Sequence, residues 1–159
     1  MNPEPDLSSR TLTLTRTFDA PPEKVYRAWT EPALYKQWNV PRPWVITEAE
    51  LDPRPGGTNR MTMRSPEGVD FPDAGIYLEV IPGKRLVFTD AYTSAWLPSE
   101  KPFMTVSVDF EPLEGGAKTR QSIRVLHWSV ADREEHERMG FHKGWGQCAD
   151  QLAEVLARI

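Results

Sequence analysis

Few side chains in this sequence are spaced to do chemistry, and most of them fall in segments that alternate like strands. His127 ends one such segment and could shuttle a proton near neutral pH. Asn59 and Gln121 share its apolar parity, where a few polar groups in an apolar pocket would orient a ligand. Tyr77 and Glu79 stand two apart, which in an extended chain puts a phenol and a carboxylate on one face, able to act together on a bound molecule. Each has a plainer reading. No Asp, Ser or Cys is placed to complete a dyad with His127, so a hydrogen-bonded strand-end histidine is favoured. Glu79 could equally be ion-paired with an arginine such as Arg16, since buried charges usually need a partner. His136, His142 and Cys148 invite a metal, but a spacing of six advances a helix by about 600°, leaving neighbours roughly 120° apart. No metal site and no cofactor are expected. Cys148 reads as a small hydrophobe on an apolar stripe. Glu48, Glu50 and Asp52 read as a solvated outer face rather than paired catalytic carboxylates, and Gly56-Gly57 and Gly115-Gly116 as hairpin punctuation.

The elements that must position these residues follow from periodicity. Leu12, Leu14 and Phe18 alternate with threonines, predicting a strand that ends at Asp19-Ala20-Pro21-Pro22. Pro22 and Glu23 suit a helix N-terminus, predicting a short helix to about Trp29 that buries Val25 and Trp29. Thr30-Glu31-Pro32 repeats the start signal, with Thr30 as cap and Leu34 and Trp38 four apart. Six more strands follow in meander order, over 45–52, 59–64, 75–81, 85–92, 103–111 and 119–127, with loops at 65–73 and 93–101. Ser129 and Asp132 resemble a capping box before a charged helical segment, which Gly140 interrupts. From Phe141 to Ile159, apolar residues at three- and four-residue spacing predict a long amphipathic helix.

The order β–α–α–six strands–α predicts an α+β fold: a curved antiparallel sheet of about seven strands around a C-terminal helix. One helix cannot cover seven strands, so part of the inner face is free to line a cavity. Parity assigns Val45, Ala49, Met61, Met63, Val106, Val108, Phe110, Ile123 and Val125 to that face, because the opposite face carries Arg60, Arg64, Arg120 and Arg124. Any single methionine reads best as core filling; as a group they suit adaptable apolar binding. Phe88 and Trp145 complete the candidate lining, with Asn59, Met61, Met63, Tyr77, Glu79, Val106, Val108, Gln121, Ile123 and His127. Trp96, in a loop with Pro98, is placed either as part of a lid over the cavity mouth or as a homodimer contact.

Composition bounds the function. The 159 residues suit one domain, taken as residues 10–159 behind a flexible tail at 1–9. Fifteen prolines exclude long helices from most of the chain. A net charge of −4 and a pI near 5.4 give no attraction to nucleic acid or an anionic membrane surface. No secretory signal or membrane-length apolar run is visible, and a lone Cys148 cannot pair within the chain; the expectation is a cytoplasmic protein.

Several short motifs, in order, carry a resemblance. They are Arg16-Thr17-Phe18-Asp19-Ala20-Pro21, Val25-Tyr26-Arg27-Ala28-Trp29-Thr30-Glu31-Pro32, Trp38 and Asp52-Pro53-Arg54-Pro55-Gly56-Gly57. Gly75-Ile76-Tyr77, Pro82-Gly83-Lys84-Arg85-Leu86-Val87-Phe88-Thr89 and His142-Lys143-Gly144-Trp145 continue it. Together they resemble the SRPBCC (START-like) superfamily, in the subfamily similar to the C-terminal domain of the activator of the heat-shock protein 90 ATPase. The resemblance spans about Arg10 to Ile159 and implies a helix-grip fold with a cavity between sheet and last helix. Function transfers less readily, since the superfamily holds lipid and hormone carriers, polyketide cyclases, ring-hydroxylase subunits and co-chaperones, with no catalytic residue common to all. The separate N-terminal domain of the eukaryotic co-chaperone has no counterpart in this sequence, which weighs against a chaperone role.

Three expectations follow. The leading one is a non-enzymatic module that binds a small apolar or amphipathic molecule in that cavity. The second is a cyclase- or hydrolase-type enzyme using His127, Tyr77 or Glu79. The third is an interaction protein that contacts a chaperone and stimulates its ATPase.

Overall fold

A computed structural model describes residues 6–159. Ser8–Arg10 form one 3₁₀ turn; of the expected tail, Met1–Pro5 lie outside the described residues. Strand β1 (Thr11–Phe18) leads through the proline turn into helix α1 (Pro22–Thr30) and the single-turn α2 (Pro32–Tyr35). Strands β2 (Val45–Leu51), β3 (Thr58–Arg64), β4 (Asp70–Ile81) and β5 (Arg85–Thr89) follow. A small hairpin, β6 (Tyr92–Ser94) and β7 (Leu97–Pro98), precedes β8 (Met104–Leu113), β9 (Lys118–His127), α3 (Val130–Arg138) and α4 (Phe141–Leu156). The main sheet is seven-stranded and antiparallel, in the order β1-β9-β8-β5-β4-β3-β2. Only β1 departs from the meander, crossing under the helices to pair with β9. This is the expected α+β helix-grip architecture.

Thr30 is not the cap expected of it. Its hydroxyl turns back to donate to the Tyr26 carbonyl at 2.9 Å, and Glu31 stands at the cap position without a side-chain capping bond. Ser129 does cap α3, accepting the Asp132 N–H at 3.1 Å. Gly140, at φ 93°, sits in the left-handed region and separates α3 from α4.

The strand β4 starts at Asp70, inside the stretch expected to be a loop, and contains Pro72. Its first half pairs with β3, while β5 joins only from Ile76 onward. A proline is tolerated there because that stretch has one neighbouring strand rather than two. Two bulges also change the expected faces. Thr47 is an extra residue in β2, so Ile46 and Ala49 face inward opposite Met63 and Met61, and Val45 is turned out to 49% exposure. Leu78 is an extra residue in β4: Tyr77 stays inward opposite Phe88, while Glu79 falls opposite Val87 on the outer face.

The core lies between the inner face of the sheet and helices α1 and α4. Val25, Trp29, Val108, Phe110, Val125, Leu152 and Val155 are each almost fully buried there. Gln151 is buried on α4. Its amide donates to the carbonyls of Trp38 and Val40 at 2.9 and 2.7 Å, and its Oε1 accepts the Arg42 N–H at 3.0 Å. One side chain thereby satisfies three backbone groups of the segment after α2 and fixes it against α4. The expected outer face is charged, with Arg60 paired to Glu50, Arg64 to Asp70 and Arg120 to Glu111.

Candidate functional site

Beyond the packed end of the core, sheet and α4 separate around a cavity of about 350 Å³. Its floor is the inner face of the sheet: Asn59, Met61 and Met63 from β3, Phe88 from β5, Met104 and Val106 from β8, Gln121 and Ile123 from β9. Its roof is α4, which passes over it with small side chains, Gly144, Cys148 and Ala149, beside Trp145. A β-carbon on Gly144 would meet no atom within 4 Å, so the space is open on that face. Trp29, Tyr35 and the segment Trp38–Pro41 close one end. Trp29 and Trp38 stack edge to face with centroids 4.8 Å apart, and Trp29 also contacts Phe88 at 6.2 Å.

Eight of the twelve residues singled out by sequence line this space: Asn59, Met61, Met63, Phe88, Val106, Gln121, Ile123 and Trp145. Four do not. Val108 is fully buried in the packed core. Glu79 is on the outer face, where it accepts from Arg85 at 3.2 Å; Arg16, the partner suggested for it, instead binds Asp150 at 2.8 Å. Tyr77 is buried without lining the cavity, and its hydroxyl has no hydrogen-bond partner among the described residues. Desolvation holds that phenol well above its ordinary pKa. The bulge at Leu78 thus separates the Tyr77–Glu79 pair on which joint catalysis was considered.

His127 lies one layer behind the cavity, 1% exposed. Its Nδ1–H donates to the Arg10 carbonyl at 3.0 Å, because a carbonyl can only accept. With the proton on Nδ1, Nε2 of His127 is left as the acceptor for the Nδ1–H of His136 at 2.8 Å. The chain of bonds leaves His136 Nε2 as a lone-pair acceptor, and His136 itself lines the cavity among Phe103, Phe141 and Trp145. Burial, and secondly the neighbouring His127, push the His136 pKa down to about 4, so the ring is neutral at pH 7. The histidine that reaches the cavity is therefore His136, which the sequence spacing considered only as a metal ligand. Among the described residues no group of three His, Cys, Asp or Glu is gathered to hold a metal ion.

The remaining polar groups are few. Gln121, 2% exposed, accepts the Trp29 Nε1–H at 2.8 Å. That bond fixes the amide orientation and leaves its NH₂ without a bond to any described residue. Asp73, inward on β4 opposite Met61, also makes no hydrogen bond or ion pair with a described residue. Burial, and then the charge of Asp90, raise its pKa. Asp90 is engaged by the fold, its Oδ1 accepting the Phe103 and Met104 N–H groups at 2.9 and 3.0 Å. Burial pushes the Cys148 thiol up to about 12, which suits an apolar wall rather than a nucleophile. Trp96, offered as a lid, is 86% exposed at the tip of the β6–β7 hairpin against Tyr92, and does not line the cavity.

A curved seven-stranded antiparallel sheet gripping a C-terminal helix, with an open space between them, defines the START-like (SRPBCC) class. Within that class the chain belongs to the family described as Activator of Hsp90 ATPase homolog 1-like protein, which it matches over residues 19–157. A solved protein from Nitrosomonas europaea is similar at 39% identity, with 95% of this chain and 96% of that one covered and a TM-score of 0.90. One from Chromobacterium violaceum is 32% identical, covering 92% and 96%, with a TM-score of 0.75. One from Rhodobacter sphaeroides is 25% identical over 98% and 97%, with a TM-score of 0.83. Comparison with curated protein sequences gives no match. Among the described residues, no helix is long and apolar enough to cross a membrane.

Proposed function

We propose that this protein binds a small apolar or amphipathic molecule in the cavity between its sheet and α4. The observation that carries the reading is the cavity itself. Its volume, about 350 Å³, falls within the range typical of small-molecule sites, and its walls are mainly Met, Trp, Phe, Val and Ile with a few convergent polar groups. Gln121 adds support. Its NH₂ bonds no described residue and is free to donate to a ligand oxygen in the cavity.

A catalytic reading would rest on different residues from those the sequence suggested, because Tyr77, Glu79 and His127 do not line the cavity. His136 would be the group in position, with His127 holding its tautomer.

The test is a thermal-shift screen of the purified protein against apolar alcohols, amines, acids, sterols and polyketide-like aromatics. A compound at 100 times its dissociation constant should add about 2.7 kcal/mol and raise the midpoint by roughly 5–10 °C. If none moves the midpoint by more than about a degree, the ligand reading fails. Stimulation of a chaperone ATPase would then be the assay to run.

A further inference from the structure

The cavity wall has a sign. Its lining includes Asp73 and Asp90 but no Lys or Arg. Asp90 is accounted for by the Phe103 and Met104 N–H groups. Asp73 is not: it is part-buried in the wall, and none of the ion pairs or side-chain hydrogen bonds among the described residues involves it. The outer-face carboxylates that flank it along the sheet, Asp70 and Glu50, are each paired with an arginine of β3. Asp73 points the other way, into a space with no protein cation. His136 adds a second acceptor, since the bonds through His127 to the Arg10 carbonyl fix its tautomer with Nε2 free.

An unpaired carboxylate in a low-dielectric wall is costly unless something neutralises it, and a fatty-acid or phosphate headgroup there would add like-charge repulsion. We propose that the molecule held in this cavity is an apolar amine, its cationic nitrogen donating to Asp73 while its hydrocarbon part lies on Met61, Phe88 and Ile123. The inference rests on the ligand-binding reading above and narrows it to one headgroup chemistry.

A matched series of octylamine, octanol and octanoate tests it, with binding followed by the intrinsic fluorescence of the tryptophans at the cavity. The wild type should bind octylamine at least about tenfold more tightly than octanol, with octanoate weakest, because the ammonium adds its own charge to a hydrogen bond that the hydroxyl makes without one. Asp73→Asn should bring octylamine to within about twofold of octanol. Asp73→Leu should do the same, and octanol still binding saturably to either variant shows that the cavity is intact. Octanoate binding as tightly as octylamine, or an amine preference that survives both substitutions, overturns the proposal while leaving a ligand cavity in place. Failure of all three probes to bind overturns the ligand reading as well.

Discussion

Gln151 and His136 show how single side chains set this site. Gln151 satisfies two carbonyls and one N–H of the segment that closes one end of the cavity. Gln151→Leu keeps the volume but leaves those groups buried and unpaired, so it should lower unfolding free energy by about 2–3 kcal/mol in urea denaturation. His136 carries a pH signature. Its folded pKa of about 4 lies below the ordinary 6.5, so as pH falls the unfolded chain takes up this proton first. Stability from this group is therefore fully present above about pH 6.5, is lost progressively towards pH 4, and changes no further below that. His136→Asn, whose amide can still donate to His127, should lose less stability than wild type between pH 7 and pH 4.5. Equal losses in the two proteins would remove the buried neutral histidine from the account. The pairing was not legible beforehand, because His127 and His136 sit on a strand and a helix joined by a turn whose angle no spacing rule supplies. Gln121, by contrast, was legible: an amide on an apolar strand parity has few explanations besides a buried partner or a ligand.

Among the elements, the seven strands of the main sheet and the last helix follow directly from period-two and period-3.6 patterning, and their order is the one observed, but the strand expected over 85–92 ends at Thr89 and the stretch expected as a loop holds most of the β6–β7 hairpin. Parity failed only beyond a bulge. Val45 and Glu79 each lie within two residues of an inserted residue, Thr47 or Leu78, that flips the alternation while leaving the hydrophobic pattern superficially intact. Pro72 misled in another way, since it reads as a loop residue unless one knows that β5 stops short of it. Two glycines define what α4 can do. Gly140 starts it from a left-handed conformation, and a substituted β-carbon there meets nothing within 4 Å, so the penalty is backbone strain alone. Gly140→Ala should cost about 1–2 kcal/mol by thermal or chemical denaturation. Gly144 is helical and faces open cavity, so Gly144→Leu should maintain or raise stability by up to about 0.8 kcal/mol through helix propensity. The same substitution should abolish ligand binding by filling the space, and a stable Gly144→Leu protein that still binds would place the ligand elsewhere.

At the scale of the molecule, one sheet supplies both a packed core and an open site. Val108, Phe110 and Val125 are covered by α1 and α4, whereas along the same strands Val106 and Ile123 border the cavity under a stretch of α4 built from small residues. The division is a consequence of side-chain size along one helix, Leu152 and Val155 at the packed end against Gly144, Cys148 and Ala149 at the open one. The fold family and the SRPBCC resemblance define the frame, and the lining sets what the frame can hold. The most direct measurement is a methyl-resolved NMR titration of the full chain with whichever compound gives the largest thermal shift. The account predicts saturable shifts at Met61, Met63, Ile123 and Ala149, with the outward methyls of Leu78 and Val69 unmoved. Shifts confined to the outer face, or spread evenly over both faces, would contradict it.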